Sequence, residues 1–207
     1  MSDEAMEKDA LRAKFMALRR AMTEAERIEK SEAIRQVVIA TDQFHESSVI
    51  ALYSPIRHEV DTEGIFHAAR RLGKTTAYPL VSRERHALRF FSVDEPDRLI
   101  PGTYGIKEPD AYNAPEIAVH ELDMILVPAV LLDMNGFRLG YGGGYYDRLL
   151  SDPSMRAHAT AVVYDFQVVR RLPRQDHDVP VDRIITENRV IADTRIHPPL
   201  YKEVHRK

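Results

Sequence analysis

The chain has 207 residues, 29 basic against 32 acidic for a formal net charge of −3, and no cysteine. That length suits a single α/β domain spanning 1–207, and the missing thiols exclude disulfides, thiolate zinc sites and cysteine nucleophiles. The charge balance gives no reason to expect nucleic acid, no run approaches membrane-spanning length, and a cytoplasmic monomer without a membrane partner is the expectation.

The first twenty residues mix both charge signs and lack the apolar stretch of a signal peptide. Leu11, Phe15, Met16 and Leu18 recur at helical spacing, which predicts an amphipathic helix over 4–21, with the basic clusters of Arg12 to Arg20 as its solvated face. Thr23 and Glu26 form a capping box that opens a second helix running to about Thr41. Two helices therefore precede any strand. SVIALYS (48–54) reads as a buried strand, Thr62 as the cap of a helix ending at Gly73, and TTAYP (75–79) as the next strand. ALRFFSV (87–93) and LDMILVP (122–128) follow as strands, separated by a proline-bearing excursion over 94–120. YYDRLL is a helix candidate, and ATAVVYDF (159–166) and RIITEN (183–188) are the last strands. Strands alternating with helices imply a three-layer α/β/α, Rossmann-like fold with a mostly parallel central sheet, with ligands beyond the strands' carboxyl ends. The polar tail from Asp193, with its paired prolines, reads as a flexible or surface-docked end.

Five of the nine glycines, at 136, 140, 142, 143 and 144, lie just ahead of Tyr145, Tyr146 and Asp147. The phosphate-loop pattern fails because Tyr145 stands where a lysine is required, and the dinucleotide fingerprint fails at the same residue. Consecutive glycines can still turn several backbone N–H groups toward one anion, and an aspartate in the following helical turn can hold a hard cation. The alternative is a tight turn with Asp147 as a favourable first-turn acid.

With its flanks, LVPAVLLDMNGFRLGYGGGYYDRLL resembles the signature of the 5-formyltetrahydrofolate cyclo-ligase family. K-x-x-L-R at Lys8 to Arg12, Y-x-x-x-x-x-E-V-D-T at Tyr53 to Thr62 and H-D-x-P-x-D at His177 to Asp182 extend the likeness in the same order. The resemblance implies cyclisation of 5-formyltetrahydrofolate to 5,10-methenyltetrahydrofolate, with ATP as co-substrate and magnesium as cofactor. A formamide oxygen is a poor leaving group, so it is phosphorylated before nitrogen 10 attacks, a task of positioning and charge stabilisation rather than of a protein nucleophile.

By the same resemblance Lys8 and Arg12 contact ATP, and Arg138, Gly140, Tyr141, Gly142, Gly143, Gly144, Tyr145 and Tyr146 form the nucleotide loop, with Lys8, Arg138 and Tyr145 catalytic. Asp147 and Asp178 match the magnesium carboxylates; the nine histidines offer no clear metal cluster, and His177, beside Asp178, is the one to watch. Ser54, Glu59, Tyr104 and Tyr145 fall on the folate side, Glu59 accepting from the pterin's donor edge and the tyrosines stacking on it. Many family members read RLGRG where this chain reads RLGYG, so Tyr141 replaces an arginine expected near the phosphates. The expectation is that Tyr141 packs against a ligand, its hydroxyl incidental, while Lys8 and Arg138 supply the charge. A non-catalytic nucleotide or folate binder on the same scaffold, or another ATP-using enzyme acting on a small formamide or carboxylate, are the alternatives.

Overall fold

The structure, a computed structural model, describes residues 3–191, so the tail from Asp193 lies outside the described residues. Three helices, not two, come before the first strand. α1 (Asp3–Ala21) and α2 (Glu24–Ile39) lie where the periodicity puts them. Thr23 closes the start of α2 with a two-way box: its Oγ1 accepts from Glu26 N at 3.2 Å while Glu26 accepts from Thr23 N at 2.7 Å. Thr41 then acts as a second cap, accepting from Phe44 N at 3.2 Å, and starts the extra turn α3 (Asp42–Glu46).

β1 (Val49–Ala51), α4 (Glu63–Arg71) and β2 (Thr75–Ser82) form the expected strand, helix, strand unit with parallel strands. Thr62 does not cap α4. Its hydroxyl donates instead to Tyr53 O at 2.8 Å, tying the helix entry to the chain leaving β1. β3 (Ala87–Ser92) returns antiparallel to β2. The excursion over 94–120 pairs β4 (Ile100–Pro101) with β5 (Lys107–Glu108) and sends β6 (Glu116–Ile117) to the edge of β3. After β7 (Met124–Val127) come β8 (Leu131–Asp133), β9 (Arg138–Leu139), α5 (Tyr145–Leu150), β10 (His158–Val162), β11 (Val168–Val169), β12 (Arg183–Ile185) and β13 (Val190–Ile191).

The central sheet runs β13-β12-β10-β7-β1-β2-β3-β6, with the five adjacent strands from β12 to β2 parallel and β3 antiparallel to β2. Along β1 and β7 successive side chains go to opposite faces and both faces are apolar. Ile50, Leu52, Met124 and Leu126 pack under α2, α3 and α4, whereas Ala51, Ile125 and Val127 pack with Leu149 and Leu150 of α5. The third cluster is separate: Phe15 of α1 packs with Leu131 and Leu139 on a small second sheet, β11-β8-β9. α1 therefore lies on this annex rather than on the central layers. β2 and β7 flank β1 on opposite sides, so strand order reverses at β1, and the crevice past the carboxyl ends of β1 and β7 is where a fold of this kind takes its ligand.

Candidate active site

Tyr53 and Ser54, which leave β1, and Pro128 and Ala129, which leave β7, line a cavity of about 500 Å³ at that crevice. The volume suits a small-molecule site. α1, the glycine loop, the segment around Asp178, Glu59 and the excursion complete its lining. The loop itself does not extend from a central strand, as the sequence suggests. It follows β9 of the annex, because Asn135 and Gly136 turn β8 back on β9 through a tight hairpin held by the Asp133 carboxylate, which accepts from Asn135 N (2.9 Å) and Phe137 N (3.2 Å).

Lys8, Arg12, Phe15 and Arg19, spaced four, three and four apart, share one face of α1. Arg12 Nε donates to Gly140 O at 2.9 Å, and Lys8 Nζ stands 3.7 Å from Asp178 Oδ2. Gly142 (φ +99°) and Gly144 (φ +65°) occupy left-handed backbone that explains the choice of residue. Arg138 is nearly buried and its guanidinium is engaged: Nη1 donates to Val179 O at 2.6 Å and Nη2 to Asp147 Oδ1 at 2.8 Å. Arg138 thus orients Asp147, which is more than the point charge expected of it.

Asp147 Oδ1 also accepts from Val179 N at 3.3 Å, and Asp178 Oδ2 accepts from Gln175 N at 2.8 Å. These hydrogen bonds fall, among the described residues, on one oxygen of each carboxylate, and His177 Nε2 stands 3.9 Å from Asp178 Oδ1. Among the described residues no three His, Cys, Asp or Glu side chains cluster as a metal cage. A pair of carboxylates fits magnesium, which takes one or two such ligands and completes its shell with phosphate oxygens and water.

Glu59 is buried, its side chain 4 % exposed. Its Oε2 accepts from Ile56 N at 3.0 Å and its Oε1 from the Tyr141 hydroxyl at 2.8 Å. Burial pushes the Glu59 carboxyl above its usual range, while the Ile56 N–H, Arg19, the Tyr141 hydroxyl and Arg57 pull it down. Burial, with Glu59 nearby, likewise raises the Tyr141 and Tyr146 phenols, which stay neutral. The Tyr141 hydroxyl is therefore not incidental. It receives Arg19 Nη2 at 2.5 Å, and Arg57 lies 4.9 Å above its ring.

Arg19 corrects the expectation that the basic residues of α1 form a solvated face: its side chain is 1 % exposed. A signal for it was present, because Leu11, Phe15 and Arg19 recur every four residues and put Arg19 on the buried stripe, whereas Leu18, counted as apolar, is exposed. Ser54 Oγ donates to Lys107 O at 2.6 Å and pins the excursion to the end of β1. Glu108, also missed, holds that excursion from within, accepting from Val81 N and Thr103 N at 3.2 and 3.1 Å. Tyr104, in left-handed backbone at φ +60°, is largely exposed beneath Arg83, and it faces Tyr145 across a hollow beside the main cavity. The Tyr104 phenol holds Tyr145 above its ordinary range.

Residues 4–187 match the model of the 5-formyltetrahydrofolate cyclo-ligase family. A 5-formyltetrahydrofolate cyclo-ligase from Mus musculus is 30 % identical over 87 % of this chain and 94 % of its own, and one from Mycolicibacterium smegmatis is 28 % identical over 91 % and 97 %. Among solved structures, the 5,10-methenyltetrahydrofolate synthetase of Aquifex aeolicus superposes with a TM-score of 0.80 at 34 % identity, covering 97 % of this chain and 99 % of that one. That of Mycoplasma pneumoniae gives a TM-score of 0.72 at 25 % identity over 87 % and 98 %.

Proposed function

We propose that this chain, which belongs to the 5-formyltetrahydrofolate cyclo-ligase family, closes the formyl group of 5-formyltetrahydrofolate onto nitrogen 10 with ATP as phosphoryl donor and magnesium as cofactor. The formyl oxygen attacks the γ-phosphorus and ADP leaves; nitrogen 10 then attacks the activated formyl carbon. The carbon–oxygen bond breaks with loss of phosphate, the nitrogen 10 proton goes to solvent, and 5,10-methenyltetrahydrofolate results. The observation that carries this reading is that one cavity joins two chemistries: the Lys8, Arg12 and glycine-loop side suits phosphates, and the Glu59 side suits a pterin.

On the phosphate side, Lys8 and Arg12 bring positive charge from α1, and the glycine loop supplies backbone close to the polyphosphate. Arg138 fixes the Asp147 carboxylate, and Asp147 and Asp178 are the residues that would hold magnesium, whose charge offsets that of the phosphates. On the folate side Glu59 accepts from the pterin's N–H edge, and Tyr104 and Tyr145 offer aromatic faces to the ring. Ser54 acts through the excursion it anchors. Closing both substrates into one cavity brings the formyl oxygen near the γ-phosphorus, where proximity and charge carry the rate.

A non-catalytic binder found its support in the tyrosine at 141. Arg19 and Arg57 stand against that side chain but share Glu59 as their carboxylate, so what weighs against the binder is that the matched relatives are named as cyclo-ligases. Purified protein mixed with 5-formyltetrahydrofolate, ATP and magnesium is expected to develop the near-ultraviolet absorbance of the methenyl product with ADP release in step. Retention of ATP without ADP release would return the binder to first place.

A further inference from the structure

Arg19 stands behind the cavity wall. Its Nη1 donates to Ala129 O, just past β7, at 3.3 Å and lies 3.8 Å from Glu59 Oε1, while its Nη2 donates to the Tyr141 hydroxyl. Its Nε finds no acceptor among the described residues. A buried guanidinium with one donor unused is not what stability alone selects, since an apolar side chain of similar shape fills such a place at lower cost. What the group does secure is orientation. The Tyr141 oxygen receives Arg19 on one side, so its own hydrogen is directed to Glu59, and the carboxylate is then held at both oxygens, by Tyr141 and by Ile56 N.

We propose that Arg19 is a positioning residue for the folate substrate: through Tyr141 it fixes the Glu59 carboxylate in the cavity, so that the pterin's donor edge meets an acceptor already in place. The proposal rests on the folate-side reading of Glu59. α1 then serves both halves of the site from one helix face, with Lys8 and Arg12 at the phosphates and Arg19, two turns further on, at the pterin acceptor. Pre-arranged acceptors of this kind raise affinity for the group they receive and leave the chemical step unchanged.

The test compares Arg19→Met, Arg19→Lys, Tyr141→Phe and Glu59→Gln in the full chain, with steady-state kinetics on 5-formyltetrahydrofolate and ATP varied separately and melting temperatures alongside. Arg19→Met and Tyr141→Phe are each expected to raise KM for 5-formyltetrahydrofolate about tenfold or more, and Arg19→Met, whose position does not line the cavity, is expected to keep KM for ATP and kcat within about twofold of wild type. Arg19→Lys is expected to recover part of the loss, because an ammonium restores one charged donor. The double variant Arg19→Met with Tyr141→Phe is expected to be little worse than the weaker single one, since both break one relay. A lower melting temperature with an unchanged formylfolate KM, or an equal rise in both KM values, overturns the proposal. Should Arg19→Met fail to fold, an unchanged formylfolate KM in Tyr141→Phe overturns it alone. An unchanged formylfolate KM in Glu59→Gln removes the folate-side reading and the proposal with it, whereas a raised KM there beside unchanged Arg19 and Tyr141 variants removes only the role of Arg19.

Discussion

Arg138 and Asp147 meet at 2.8 Å, their side chains 3 % and 20 % exposed, so the carboxylate at the start of α5 is oriented by a residue from β9 on the far side of the glycine loop. Asp147→Asn removes the partner of a nearly buried guanidinium as well as a candidate magnesium ligand. Because Asp147 is partly solvated, the stability loss is expected at about 1–3 kcal/mol, short of the penalty for a fully buried pair. Turnover is expected to fall on the order of a hundredfold. Chemical denaturation and turnover on the same preparation check both; wild-type turnover in a destabilised variant would leave Asp147 a structural acid.

Asp178→Asn separates metal binding from stability. Asp178 belongs to a loop, its Oδ2 contact with Gln175 N survives in the amide's carbonyl, and its charge neighbours are Lys8 at 3.7 Å and His177 at 3.9 Å. The melting temperature is expected to change little, while the magnesium concentration for half-maximal turnover rises about tenfold or more. An unchanged magnesium requirement removes Asp178 from the ligand set.

Glu59→Gln is expected to weaken 5-formyltetrahydrofolate binding and spare ATP, read by calorimetry with each ligand. Burial raises the Glu59 carboxyl in the folded protein, so its contribution to stability is present below the unfolded value near 4.5 and is lost as pH rises through the higher folded value. At neutral pH the uncharged glutamine escapes that penalty, but it offers one acceptor oxygen where the carboxylate serves both the Ile56 N–H and the Tyr141 hydroxyl, and it removes the charge facing Arg19. The two effects oppose, so the melting temperature is expected to stay close to wild type at pH 7 and to fall relative to it toward pH 4. The groups facing the carboxyl are Arg19, Arg57, Tyr53, Tyr141 and Tyr146, so that trend tracks Glu59 itself. A melting temperature well below wild type at pH 7 would show that Glu59 holds the fold.

How far the sequence disclosed all this follows from the range of each signal. The capping box at Thr23 and the bounds of α5 were legible because caps and short helices are set by neighbours in the chain. The annex was not, although Asn135-Gly136 between LLD and FRL carries the hairpin signal; the neighbouring glycines drew it into one long loop. Thr62 has the composition of a cap, but Tyr53 O lies within reach of its hydroxyl in the fold. Lys8, Arg12, Glu59, Asp147 and Asp178 do line one cavity, as the matching segments implied. The link from Arg19 to Tyr141 spans the chain's first helix and its glycine loop, and no local pattern records it.

Gly144→Ala tests the loop backbone. At φ +65° an alanine is strained, and the new Cβ would stand 3.2 Å from Arg148 Nη1, the end of a long side chain that need shift only a few tenths of an ångström while its Nε and Nη2 keep donating to His86 O and Gly143 O. The cost therefore comes from backbone conformation, at about 1 kcal/mol of stability, and ATP affinity is expected to fall because α5 starts at this residue. Unchanged stability and ATP binding would mean that the loop does not need its left-handed turn.

Tyr141→Arg introduces the residue that the resemblance leads one to expect at this place, and packing of Tyr141 against a ligand, the expectation from sequence, makes a raised KM for one substrate the forecast. The structure gives that forecast a basis in charge. Tyr141 receives Arg19 at its hydroxyl and lies under Arg57, so an arginine there would place a third guanidinium against two others with Glu59 as their shared carboxylate. Like charges in a partly buried site repel with little screening by salt. The new side chain also lacks the acceptor oxygen that Arg19 uses, and a buried donor left without its acceptor costs about 1–3 kcal/mol. The variant is expected to melt lower and to show a raised KM for 5-formyltetrahydrofolate, with added salt restoring neither. Replacing Arg19 by methionine in the same chain removes one of the crowded charges, so the double variant is expected to melt higher than Tyr141→Arg alone. Wild-type or higher activity in Tyr141→Arg, or additive losses in the double variant, would show that the two arginine positions do not compete for one place.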